Sequence, residues 1–308
     1  MVSPTVKNCS IEKIKSSLRL VGKENIISQN NVFSEFPCIT DNESIQMISY
    51  LEHLDWDSTF FEFECYHVKP IRLARKVFND KKIGVMVKKS MSILKDTSAT
   101  FVSSRLSLND DDWIRQLEAN GFQSYDWSCT LRASHSTLIP REDGILKKVR
   151  SAEESDIWNL MEISAIAFYR DRFHTDKQFG KQRADAMHAI WIKNLFYSDN
   201  SRVYVIEEGN QIGGYITLHE KFGSNQSEEK DELRIGLIAV HPKYSRRGLG
   251  GALLDKAISD VIDEHRTLSV GTQLNNTAAM RLYQKRGLKP SDYQTTLHYW
   301  FKSPTKLA

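Results

Sequence analysis

The run Leu233-Arg234-Ile235-Gly236-Leu237-Ile238-Ala239-Val240 is aliphatic and strand-like, and it halts at His241-Pro242. Proline has no amide hydrogen to give a sheet ladder, so the strand ends there. Next comes Tyr244-Ser245-Arg246-Arg247-Gly248-Leu249-Gly250-Gly251, followed by Leu253, Leu254, Ala257, Ile258 and Val261 at helical spacing. A strand that passes through glycines into a helix restricts this chain more than any other feature. The glycines let several backbone N–H groups turn toward one ligand, and the helix N-terminus adds positive potential. Arg246 and Arg247 supply side-chain charge for the same anion. The expected product is a phosphate cradle.

The flanking segments define the rest of the second half. Lys147 to Arg150 reads as a short strand, and a helix follows from about Asp156 with Ile157, Leu160, Met161, Ser164 and Phe168 on one face. A second helical pattern runs from about Lys177 to Leu195. Val203–Ile206 and Gly214–Leu218 then alternate as strands joined through Gly209-Asn210, a hairpin turn pair. Ser224 to Lys230 is a polar loop. After the glycine-rich turn and its helix come a strand over Leu268–Gln273, a helix over Asn276–Arg286 stopped by Gly287, and a strand over Thr295–Phe301. The order β-α-α-β-β-β-loop-α-β-α-β predicts a mixed α/β fold, an antiparallel meander feeding one crossover.

The first half echoes the end of the second. Phe101–Leu106 is strand-like, Asp110–Asn120 helical, Gly121-Phe122 a terminator and Trp127–Leu131 strand-like again. Aligning Gly121 with Gly287 gives an offset of 166 (287 minus 121), which pairs Asn109 with Asn275 and Leu117 with Tyr283. The earlier copy has no glycine-rich turn and carries leucine where the later one has a phenol. Residues 1–45 are polar and aperiodic and read as an N-terminal arm. Structure is expected from about Leu51, with Trp56, Phe60, Phe61 and Phe63 close behind. The polar stretch Ser134–Gly144, with Pro140, reads as a linker. The expected organisation is an arm over 1–45, a degenerate domain over 46–140 and a ligand-binding domain over 141–308.

Composition narrows the partners. Of 308 residues, 42 are Lys or Arg and 39 are Asp or Glu, a net +3 too small to make nucleic acid or an anionic bilayer the default partner. No apolar stretch approaches the ~20 residues a membrane span needs, and Met1–Lys7 shows no signal-peptide pattern. Cys9, Cys38, Cys65 and Cys129 have no C-x-x-C spacing and read as free thiols in the cytoplasm, not as a disulfide frame or zinc site. No metal is expected.

Three phosphate motifs compete for the glycine-rich turn. A P-loop needs Gly-Lys-Ser/Thr, but Gly250-Gly251-Ala252 lacks both lysine and hydroxyl. A dinucleotide fingerprint needs a third glycine where Leu253 stands. The pyrophosphate loop of a coenzyme A enzyme fits both the spacing and the meander before it. A plain turn with solvated arginines is the alternative. His241–Gly250 resembles the R/Q-x-x-G-x-G/A motif of the GNAT superfamily of N-acetyltransferases, with Ser245 at the position where Arg or Gln is usual. Asn276–Gly287 is similar to that superfamily's N-x-x-A-x-x-x-Y-x-x-x-G helix. Leu54–Phe61, Asp171–His174, Trp191-Ile192 and Gly271–Ala279 resemble the branch that N-acetylates nucleotide-linked 4-amino-4,6-dideoxy sugars for polysaccharide synthesis. In that branch a truncated GNAT-like half precedes the catalytic one.

The resemblance implies acetyl-CoA as cosubstrate and direct attack by the acceptor amine in a ternary complex. The backbones of Ile238 and Val240 would line pantetheine. Arg246, Arg247, Gly248, Leu249, Gly250 and Gly251 would hold the pyrophosphate, with Asn276 and Arg286 also on the coenzyme. A backbone N–H near Ile238 would face the acyl oxygen. Tyr283 is the expected acid, since a phenol near pKa ~10 can protonate a departing thiol near ~8.5. Trp56, Arg172, His174 and Gln273 are the implied acceptor contacts. For the base, His219, Glu220, Glu207 and His174 are candidates that no spacing separates. The acceptor is expected to be a small nucleotide-sugar, and a homodimer is one assembly open to the chain. Another amine acceptor, or a non-catalytic acyl-CoA-binding regulator, is the alternative function.

Overall fold

The computed structural model describes residues 5–20, 32–41, 43–74, 79–140, 148–220 and 232–302. The loop Ser224–Lys230, Lys147 and the Asp143-Gly144 part of the linker lie outside them. The chain forms two compact units, Met1–Asp126 with Gln294–Ala308, and Trp127–Tyr293.

The first unit contains β1 (Thr5–Ser10), α1 (Ile11–Leu20), β2 (Glu35–Asp41), β3 (Ser44–His53), α2 (Asp55–Phe61), β4 (Cys65–Arg72), α3 (Asp80–Asp96), β5 (Phe101–Ser107) and α4 (Asp111–Ala119). β1 to β4 pair antiparallel in sequence order, and β4 runs parallel to β5. The chain's last strand then closes this sheet, with Gln294–Trp300 antiparallel to β5. Its core includes Phe36 stacked on Tyr50 at 5.5 Å, together with Trp113, Leu117 and Leu297.

The expected arm is not one where it is described. Residues 5–20 and 35–41 form strand, helix and strand, and Ile14, Leu18, Phe36 and Cys38 are fully buried at 0% exposure. The composition hid this because β1 is a largely exposed edge strand and α1 sinks a narrow stripe between lysines and serines.

A strand β6 (Gln123–Ser134) leaves the first unit and enters the second. The second unit continues with β7 (Val149–Ser151), α5 (Ile157–Ala167), α6 (Arg172–Thr175), α7 (Lys181–Phe196), β8 (Ser201–Glu208), β9 (Gln211–Glu220), β10 (Glu232–Val240), α8 (Leu249–Asp263), β11 (Thr267–Gln273), α9 (Thr277–Gln284) and the start of β12 (Lys289–Trp300). β7 to β10 form the antiparallel meander, β10 and β11 run parallel, and Ser128–Ser134 pairs antiparallel with β11. Alternate residues of β9 face opposite sides. Ile216 and Leu218 join Leu253, Ile258 and Tyr283, whereas Tyr215 joins Leu160, Ile163 and Ile192.

The two units therefore share one strand pattern, and β5–α4 recurs as β11–α9 at the offset of 166 read from the sequence. The units divide at Asp126 and Tyr293, whereas the polar linker suggested a boundary near residue 140. A boundary inside a hydrogen-bonded strand leaves no compositional trace. Among the described residues no helix is long and apolar enough to cross a membrane.

Candidate active site

The site begins with a flaw in the meander. Ile235 pairs with Leu218, but the next pairing is Ile238 with Ile216, so β10 carries one residue more than β9 between them. Inside this bulge the Leu237 amide donates to Thr217 Oγ1 at 2.8 Å, a side chain taking the place of a ladder carbonyl. Gly236 is required by close approach, since a Cβ there would lie 2.9 Å from Thr217 Oγ1 and 3.0 Å from the His219 ring. The parallel pairing of β10 with β11 covers Glu232 to Ile235 and, among the described residues, goes no further. The main chain of Ile238 and Val240 thus has no pairing with β11, as a pantetheine rail needs. In the first unit the β3–β4 register runs from Met47↔Arg72 to His53↔Tyr66 without a bulge.

The glycine-rich turn follows as expected. Arg246 and Gly248 take positive φ values of 62° and 86°, and Gly248 stands at the N-cap of α8 without a side-chain hydrogen bond. The opening N–H groups of α8 are left to an outside acceptor. In the first unit Asn79 caps α3 by accepting from the Lys82 amide at 3.0 Å. A Cβ on Gly250 would come no nearer than 3.6 Å to Val240 Cγ2, and one on Gly251 no nearer than 3.5 Å to Arg286 Nη2. Those are ordinary contacts, so the chain's own packing does not demand glycine at either position. A diphosphate lying against the main chain does, and these residues fit one. Arg246 is exposed, Arg247 donates to Glu208 Oε1 at 2.9 Å, and Leu249 turns its side chain into the core.

Asn276 and Tyr283 bracket α9. Asn276 Oδ1 caps the helix by accepting from the Ala279 amide at 3.3 Å. Tyr283 is 2% exposed, and its hydroxyl has no hydrogen-bond partner among the described residues. Burial pushes the phenol above its usual range, which keeps it protonated as a donor. Arg286, expected on the coenzyme, is buried beneath the turn, with Nε and Nη2 bonded to the two Asp255 oxygens at 2.5 and 2.9 Å. The pair ties α8 to the end of α9. Sequence spacing did not mark Asp255, because an aspartate within a helix reads as solvated until its neighbour is known.

The expected acceptor contacts belong to both units. Trp56 belongs to the first unit, stacked on Phe60 at 5.2 Å, while Gln273 ends β11 in the second. Arg172 lies 4.4 Å over the ring of Phe173. His174 is enclosed, its Nδ1 2.7 Å from Asp171 Oδ2 and its Nε2 2.9 Å from Asp185 Oδ1, so both ring nitrogens already have protein partners. Burial works against a charged ring there, but the two carboxylates outweigh it and raise the pKa.

The base candidates now separate. Arg150 donates to Glu207 at 2.8 Å and Arg266 to Glu220 at 3.1 Å. Of the four, His219 has a ring nitrogen, Nδ1, buried without a hydrogen-bond partner among the described residues, and it lies against Gly236 of the bulge. Burial first and the Arg234 charge second lower its pKa, so the ring is neutral near pH 7.

Residues 161–288 match the profile described as the Acetyltransferase (GNAT) family. The spore coat polysaccharide biosynthesis protein SpsD of Bacillus subtilis is 24% identical over 149 residues, 48% of this chain and 49% of that protein. The dTDP-fucosamine acetyltransferase of Escherichia coli is 27% identical over 154 residues, 49% of this chain and 61% of that enzyme. The chain thus spans about half to three-fifths of the curated relatives it matches. In fold, a GCN5-related N-acetyltransferase from Sphaerobacter thermophilus aligns with 98% of both chains at a TM-score of 0.61 and 13% identity.

Proposed function

From a chain whose residues 161–288 are an acetyltransferase domain of the GNAT family, we propose an acetyl-CoA-dependent N-acetyltransferase acting on the amine of a nucleotide-linked amino-deoxy sugar. One observation carries the coenzyme: among the described residues β10 has no pairing with β11 beyond Ile235, just where α8 presents an uncapped, glycine-lined N-terminus. The sugar acceptor rests on the two curated relatives, one a polysaccharide biosynthesis protein and the other a dTDP-fucosamine acetyltransferase. Four buried free cysteines suit a reducing cytoplasm.

When bound, acetyl-CoA supplies the activated acyl group. The main chain of Gly248 to Gly251 holds the diphosphate, with Arg246 adding charge from solvent. Arg247 does the same by exchanging its Glu208 partner. The Ile238 N–H, just past the bulge where β10 has no pairing with β11 among the described residues, stabilises negative charge on the acyl oxygen. Tyr283 gives its phenolic proton to the sulfur as the thiol leaves. The burial that raises the phenol raises a buried thiol as well, so donor and acceptor stay matched. His219 takes a proton from the acceptor ammonium, which frees the neutral amine to attack the acyl carbon.

Release of free thiol should be seen with dTDP- or UDP-linked amino sugars and be far slower with peptides, free lysine or polyamines. Equal turnover of simple amines, with none on the nucleotide sugars, refutes the acceptor. The base role predicts a pH dependence. The neutral ring exists above its lowered pKa, so kcat/KM should be level near pH 7 and fall as acid takes the pH through that value. His219→Asn should lower the plateau and abolish that limb of the profile. An unchanged limb in the variant assigns the titration to another group.

A further inference from the structure

Asp171, His174 and His188 converge in the second unit, away from the glycine-rich turn in sequence and absent from the chemistry above. One ligand atom from each lies within 4.8 Å of the others. We infer that they form a binding site for a zinc-class divalent transition-metal ion, with two imidazole ligands and one carboxylate oxygen.

The outer bonds of the three residues carry the argument. Asp171 divides its oxygens: Oδ1 accepts from the Phe173 and His174 amides at 2.8 and 3.3 Å, which frees Oδ2 for the histidines. His174 Nε2 faces Asp185 Oδ1 at 2.9 Å, and Asp185 is held in turn by Lys181 Nζ at 2.5 Å. His188 Nδ1 faces the Ala184 carbonyl at 3.3 Å. A carbonyl can only accept, so Nδ1 carries the hydrogen, which leaves Nε2, 3.6 Å from Asp171 Oδ2, as the ring atom that can bond an ion. A metal ion seated between Asp171 Oδ2 and His188 Nε2 would bond both atoms at once. Imidazoles whose far nitrogens donate to a carboxylate and a carbonyl are the usual support of metal-bound histidines.

The spacing suits a small ion. Metal–ligand bonds of about 2.0–2.1 Å in a tetrahedral site put ligand atoms about 3.3 Å apart. The Asp171–His188 pair at 3.6 Å meets this as it stands, and the Asp171–His174 pair at 2.7 Å has to open by about 0.6 Å. Nitrogen and oxygen donors without thiolate favour zinc, cobalt or nickel over calcium or magnesium. The fourth position falls to water. Phe168, stacked on His188 at 4.8 Å, closes one side of the site. On binding, the ion replaces the proton shared by His174 Nδ1 and Asp171 Oδ2, and that proton leaves to solvent. The ion would then pin the turn before α6 to α7.

The test uses the full chain without a histidine tag, stripped with chelator and titrated with Co²⁺. The expected result is a visible d–d band saturating at one equivalent, displaced by Zn²⁺, and a higher thermal midpoint with Zn²⁺ present. His188→Gln and Asp171→Asn, where folded by circular dichroism, should each weaken uptake at least tenfold. No band at one equivalent, or uptake unchanged in a folded variant, overturns the site. Should neither variant fold, ¹⁵N imidazole spectra of the parent decide. Zn²⁺ must shift His174 Nδ1 and His188 Nε2, and shifts confined to other histidines refute the assignment.

Discussion

Tyr283→Phe is expected to lower kcat by about 10²–10⁴-fold, the range for loss of a positioned general acid, with little change in coenzyme affinity. The hydroxyl has no hydrogen-bond partner among the described residues, so its removal breaks no bond and leaves no buried group orphaned. The thermal midpoint should therefore stay at the parent value. Steady-state rates combined with calorimetric titration of coenzyme A separate these quantities. A core tyrosine with no chemical role would give the opposite pattern, with rate preserved. A kcat within a few-fold of the parent ends the assignment.

The second large effect concerns Arg286. Its side chain is 7% exposed and that of Asp255 4%, so Arg286→Ala strands a buried carboxylate. The expected cost is about 3–5 kcal/mol of folding free energy, read from urea unfolding. Replacing both partners, as Asp255→Leu with Arg286→Met, should recover most of it, because two apolar groups of similar volume remove both the charge and its need for a partner. If Arg286 acted chiefly on the coenzyme, the single variant would keep the parent's unfolding midpoint and lose only affinity. That outcome overturns the structural role.

What could be read from residue order follows from how local each feature is. The hairpin at Gly209-Asn210, the strand stopping at Pro242 and the turn at Gly248 are dictated by backbone chemistry within a few residues, and each lies where the sequence indicates. Helical spacing places Asn276 and Tyr283 at the two ends of α9, but the roles expected of them came from the resemblance alone. Arg286, His174 and the arm were not legible, for one shared reason. Asp255 lies 31 residues from Arg286, and Asp185 lies 11 from His174, so the partner that decides each side chain's state is set by folding. The bulge between Ile235 and Ile238 has no local signature in the residue order. Its internal support, Thr217 holding the Leu237 amide, is a hydroxyl on a neighbouring strand that no local pattern marks.

The pairing of Gln294–Trp300 with β5 has a consequence for the order of assembly. The first unit is begun at the ribosome before the second, yet its sheet cannot be completed until nearly the whole chain has emerged. The second unit, contiguous over Trp127–Tyr293, has all its strands translated earlier. During that interval β5 presents an open hydrogen-bonding edge, which makes the half translated first the one exposed longest to mispairing with a neighbouring nascent chain.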